Sequence, residues 1–135
     1  MRQQEILAAG TSIWLDDLSR SKLTGSDPHS LPHRINHDGV RGVTTNPSIF
    51  GAAITGADEY AADIASLSGK SVDEVVRTLT TDDVRVACDL FAEIYASSKG
   101  IDGRVSIEVD PRLAHKTQET IDEGVALHAL VSRPN

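Results

Sequence analysis

The sequence predicts an α/β chain: about three parallel strands joined by right-handed βαβ crossovers in 135 residues. Three observations carry that prediction. Short stretches of alternating apolar and polar residues at 11–17, 42–46 and 104–109 are separated by longer stretches with helical spacing, the order that produces a parallel sheet. Each strand stretch has one plainly apolar face for covering helices. The opposite faces carry Asp16, then Thr44 and Asn46, then Ser106 and Glu108, all near the C-terminal ends of their strands and in matching phase. A doubly wound sheet is covered on both faces and reads as nearly continuous apolar runs. Alternation of this kind suits a barrel whose interior mouth is a reaction site, because residues there come from the ends of several strands.

The elements follow in order. Residues 6–9 are a short apolar lead-in ended by Gly10, and 11–17 is the first strand, with Ile13 and Leu15 on one face and Trp14 and Asp16 on the other. Gly25, Pro28 and Pro32 forbid one unbroken helix over 18–39, so Asp27 or Ser30 is expected to cap a short helix that stops near Gly39. Residues 42–48, G-V-T-T-N-P-S, are a second strand running straight into a helix. Asn46 suits the N-cap, and Pro47 suits the first helical position, where its missing N–H costs nothing. That helix is expected to continue to Ile54 and to break at Gly56.

Residues 58–67 place Tyr60, Ala61, Ile64, Ala65 and Leu67 at amphipathic spacing. Ser71 with Glu74 is a capping box opening a short helix through Leu79, after which Thr80 or Thr81 is expected to cap a longer one. There Val84, Ala87, Cys88, Phe91, Ile94 and Tyr95 form the apolar stripe, while Asp82, Asp83, Arg85, Asp89 and Glu93 face water. Gly100 ends the helix. Residues 104–109 are the third strand, with Val105, Ile107 and Val109 on its apolar face. Asp110 and Pro111 turn the chain into a helix over 113–131 with Ile121, Val125, His128 and Val131 in register, and 133–135 form a closing loop.

The length allows one domain with a real core. Thirteen Lys and Arg against 20 Asp and Glu give a formal charge of -7, which repels phosphate backbones and disfavours a nucleic-acid role. Cys88 is the only cysteine, so no internal disulfide and no cysteine-rich metal site can form, and a reducing, cytoplasmic location is expected. No apolar run approaches the roughly 20 residues of a membrane span, and residues 1–10 lack the pattern of a signal peptide. His29, His33 and His37 lie four apart, and His33 with His37 would share a helical face as metal ligands do. Pro32 interrupts their register and no cysteine joins them, so solvent-facing histidines are the preferred reading and no metal is expected.

Singly, Asp16 and Glu108 also read as turn residues and Asn46 as a cap. Together and in phase they point to a site. Two carboxylates and an amide, without a Ser/His/Asp grouping, suggest proton transfer on a polyhydroxylated substrate. A glycosidase would also use paired carboxylates, but such enzymes line sugar subsites with aromatic rings and this chain is 4% aromatic.

Through T-S-I-W-L-D-D-L-S-R, G-V-T-T-N-P-S-I-F, T-T-D-D-V-R-V-A-C-D and D-G-R-V-S-I-E-V-D-P-R-L-A-H, the chain resembles the transaldolase family, specifically its longer bacterial members. The resemblance covers essentially the whole chain. It implies a (β/α)8 barrel, of which residues 1–135 are a single incomplete domain holding about three of the eight strands. It further implies transfer of a dihydroxyacetone unit from a ketose phosphate, sedoheptulose 7-phosphate, to glyceraldehyde 3-phosphate in the pentose phosphate pathway. That chemistry runs through a lysine Schiff base with no cofactor. By the same resemblance Asp16 is the acid/base carboxylate acting on the C4 hydroxyl. Glu108 shuttles protons with a bound water, Asn46 hydrogen-bonds the donor's hydroxyls, and Thr44 shares its inward face. Asp17 competes with Asp16 for the role, but strand phase points it outward.

The family's nucleophilic lysine follows the match to residues 132–135. Lys22, Lys70, Lys99 and Lys116 fall in loops or helices, which do not offer the desolvated pocket that such a lysine needs. The chain is therefore expected to be the amino-terminal portion of the enzyme, inactive and poorly stable alone. The alternatives are a truncated, non-enzymatic product that persists by homo-oligomerising through open sheet edges, and a small Schiff-base sugar-phosphate aldolase.

Overall fold

A computed structural model describes residues 2–55 and 58–135, the side chains of Arg2, Ser48, Ile49, Ala52 and Ala53 excepted. Three parallel strands lie in one sheet in the order β1 (Ile13–Asp16), β2 (Val40–Thr44), β3 (Arg104–Val105). The apolar lead-in is a helix, α1 (Arg2–Ala8), whose Leu7 side chain lies against the place a Cβ on Gly39 would take. Gly39 holds φ +72°, the left-handed backbone that favours glycine.

Between β1 and β2 the chain forms α2 (Arg20–Leu23) and α3 (Leu31–His33), the latter continued by a π-turn over Arg34–Asp38 that Gly39 ends in the left-handed region. The Ser30 hydroxyl accepts the His33 N–H at 3.4 Å, as expected of a cap. After β2 come α4 (Pro47–Ile54), a 3-10 turn over Asp58–Tyr60 and α5 (Ala61–Ser66). The expected break at Gly56 lies outside the described residues. The amphipathic reading of 58–67 holds for Tyr60, which is buried, whereas Ile64 is exposed.

The helix boundary expected at Thr80 or Thr81 does not form. Residues 72–90 form one helix, α6 (Val72–Leu90), opened by the Ser71–Glu74 capping box. Thr80 and Thr81 cap nothing; their hydroxyls donate back within the helix, to Val76 O at 2.9 Å and Arg77 O at 2.8 Å, so the helix runs through them. Leu79, Val84, Ala87, Cys88 and Phe91 are buried along one stripe, and Val43 at the centre of the sheet joins the same core with Leu18, Leu31 and Val40. After α7 (Ala92–Ser97) the chain enters β3.

The third strand is shorter than the alternation over 104–109 predicts, and the reason is chemical. Ser106 N–H donates to Val43 O at 3.0 Å, the last regular rung. At the next position side chains replace the ladder. Thr45 N–H donates to Ser106 Oγ at 3.1 Å, and Thr45 Oγ1 donates to Ser106 O at 3.0 Å. A 3-10 turn over Pro111–Leu113, capped by Asp110, leads into α8 (Thr117–Val131). The predicted stripe on α8 is rotated: Ile121 is 53% and Val125 67% exposed, while Leu127 and Val131 are buried. Arg85 on α6 sets that rotation by donating to Leu130 O at 2.7 Å and Val131 O at 3.2 Å, and Arg77 meets Glu123 at 2.6 Å. The chain then returns to the free edge of β3, where Asn135 O accepts the Val105 N–H at 2.9 Å.

Candidate active site

The site begins with register. Asp16 closes β1 directly opposite Thr44, the last residue of β2, and alternation turns both to the face away from the buried Val43 and Thr45. The Thr44 hydroxyl donates to Asp16 Oδ1 at 2.7 Å, which orients the carboxylate at the end of the strand. Asn46 follows the end of β2 by two residues. Its main-chain oxygen accepts the Phe50 N–H at 3.2 Å, so the amide stands at the start of α4.

Glu108 is exposed on the segment after β3, and with Asn46 it lines a cavity of about 360 Å³. Phe50, Val76 and Leu127 supply the apolar wall of that cavity, and the Arg77–Glu123 and Arg112–Asp73 ion pairs lie in its lining. The structure pairs Asp16 with Thr44 and sets Asn46 and Glu108 among the residues that line the cavity. Asp16 and Thr44 do not line the cavity. An oriented carboxylate beside a hydroxyl, and a second carboxylate and an amide lining one cavity, can accept, return and relay protons around a hydroxylated ligand. Asp17 turns away and pairs with Lys22.

No lysine stands on a strand. Lys22 is in α2, and Lys70, Lys99 and Lys116 are exposed in turns. His33 and His37 stack with ring centroids 4.2 Å apart, and among the described residues no three His, Cys, Asp or Glu side chains group as a metal centre needs. Cys88 is buried in the α6 stripe, and burial, with Asp89 adding and Arg133 opposing, pushes its thiol up to about 11. Among the described residues no helix is long and apolar enough to cross a membrane.

One group escapes the sequence reading. Asp83, placed on the wet side of α6, is 1% exposed. Tyr60 Oη donates to its Oδ2 at 2.6 Å, Arg20 Nε donates to its Oδ1 at 2.9 Å, and the Arg20 main-chain N–H donates to Tyr60 Oη at 2.9 Å. Burial raises the Asp83 carboxyl above the usual range, while the bonds from Tyr60 and Arg20 work against that rise. The signal was present, since Asp83 lies four residues from both Leu79 and Ala87, inside the apolar stripe. The network fastens the turn that follows Asp16 to α6.

The model of the Transaldolase/Fructose-6-phosphate aldolase family matches residues 13–135. A transaldolase of Mycolicibacterium smegmatis is 56% identical over 131 residues, and one of Mycobacterium ulcerans is 53% identical over 130. One of Mycobacterium tuberculosis is 52% identical over 130 residues. Each alignment covers 95% of this chain, and the chain spans 34% of the length of these relatives.

Proposed function

This chain belongs to the Transaldolase/Fructose-6-phosphate aldolase family, and on that premise we propose that it contributes three strands of a site that transfers a dihydroxyacetone unit between sugar phosphates. The observation that carries the reading is the Thr44–Asp16 hydrogen bond across the ends of β1 and β2, and the cavity lined by Asn46 and Glu108 supports it. Asp16 accepts the proton of the ketose phosphate's C4 hydroxyl as the C3–C4 bond breaks, and returns it to the acceptor aldehyde's oxygen when the new bond forms. Glu108 relays protons through a water as the lysine amine adds to the ketone and the resulting carbinolamine loses water to the imine. Asn46 and Thr44 hold the donor's hydroxyls. The lysine itself comes from outside residues 1–135, and the cytoplasm suits a protein whose one thiol is buried and unpaired.

In the full-length gene product, Asp16→Asn and Glu108→Gln are each expected to lower kcat by about 100-fold or more, the scale of a lost general acid/base. Full activity in either variant overturns its assignment. When the 135-residue chain is treated with fructose 6-phosphate and borohydride, mass spectrometry is expected to find no reduced adduct on Lys22, Lys70, Lys99 or Lys116. The family's description also covers aldol cleavage without transfer. Assays with and without an aldose phosphate acceptor separate the two activities.

A further inference from the structure

Beneath Asp16 on the same face of β1 lies Trp14, the only tryptophan of the chain. Two local departures make room for it. The register slips between Ile13, which faces Val40, and Trp14, which faces Gly42, so Arg41 is passed over as an extra residue in β2. A Cβ on Gly42 would stand 2.5 Å from Trp14 Cε2 and 2.6 Å from Cδ2, so the indole lies flat against the bare backbone of β2. A bulge and a glycine at adjacent positions are devices that re-aim a side chain and allow close approach. Without the slip the indole would oppose Arg41; without the glycine it would be lifted off the strand.

The outcome is an aromatic face one rung below the Asp16–Thr44 pair. Two residues of strand put that rung about 6.6 Å higher. We propose that Trp14 is a substrate-contacting specificity residue, the floor on which the carbon chain of the ketose phosphate rests while its hydroxyls meet Asp16, Thr44 and Asn46. The inference rests on the reading of the site given above and deepens it. An indole face offers broad apolar contact to sugar C–H groups and no proton to the reacting atoms. Its contribution is therefore equal in ground and transition states and falls on KM rather than kcat. Its depth also decides how long a donor can lie above it.

In the full-length gene product, Trp14→Ala is expected to raise KM for the donor by about 10-fold with kcat within about twofold, the signature of uniform binding lost. The ratio of kcat/KM between seven-carbon and six-carbon ketose phosphates is expected to change, and Trp14→Phe to restore most of the loss. In a protein whose other tryptophans are replaced by phenylalanine, saturating fructose 6-phosphate is expected to alter the Trp14 emission. Unchanged KM and donor ratio in folded Trp14→Ala overturn the proposal. Where that variant does not fold, an emission indifferent to fructose 6-phosphate does so. Loss of activity in Asp16→Asn beside an unaltered Trp14→Ala defeats the floor alone, whereas an active Asp16→Asn defeats the reading beneath it.

Discussion

Cys88 illustrates what burial does to one side chain. Its thiol is packed with Ala87, Phe91 and Val131, and the thiolate has no favourable place there. The folded value, about 11, stands above the ordinary 9.0, so the sign is that of a group that favours the fold while protonated. Its contribution is complete below pH 9 and is lost as the pH rises through 11, because only the unfolded chain accommodates the thiolate freely. Denaturant melts across that window should show native protein losing stability relative to Cys88→Ala. A gap independent of pH would show that water reaches the sulfur. Such a stripe residue is legible in sequence because spacing alone places it. The role of Thr45 is not, since its two bonds to Ser106 join residues 61 apart and look like strand alternation until the backbones are brought together.

Among elements, α6 is the clearest case of local rules giving the ends and tertiary contacts giving the rest. Its start is written in Ser71 and Glu74, whose reciprocal bonds satisfy two orphan N–H groups. Its continuity through Thr80 and Thr81 is not, because a threonine hydroxyl bonds a preceding carbonyl as readily as it caps, and packing of Leu79 and Val84 on one face decides between them. Asp83 carries the same lesson, since its polarity argues for water and its register for the core. Register prevails because Arg20 and Tyr60 meet both carboxylate oxygens. Removing the Tyr60 hydroxyl in Tyr60→Phe leaves one of those oxygens short of a donor in a buried place, and is expected to cost about 1–3 kcal/mol in thermal or denaturant melts. A variant as stable as the parent would show that Arg20 alone satisfies the carboxylate.

For the molecule as a whole, the parallel order, the central place of β2 and the polar phase of the strand ends could all be read from alternation, because strand chemistry repeats every two residues. The facing of α8 could not, since Arg85 and Arg77 on another helix set it. That rotation has a consequence for the chain in isolation. Among the described residues the outer edge of β1 has no partner strand, the outer edge of β3 meets only Asn135, and Ile121 and Val125 stand in solvent on α8. Unpaired strand edges and contiguous apolar side chains are the features through which chains associate. The 135-residue chain is therefore expected to elute as a dimer or larger species in size exclusion with light scattering, and to bind a hydrophobic dye. Lysines or glutamates at Ile121 and Val125 should reduce both signals together, because they charge the helix face without touching the sheet. A monomer with a sharp, cooperative melt and no dye binding would mean that three strands and their helices close a sufficient core by themselves.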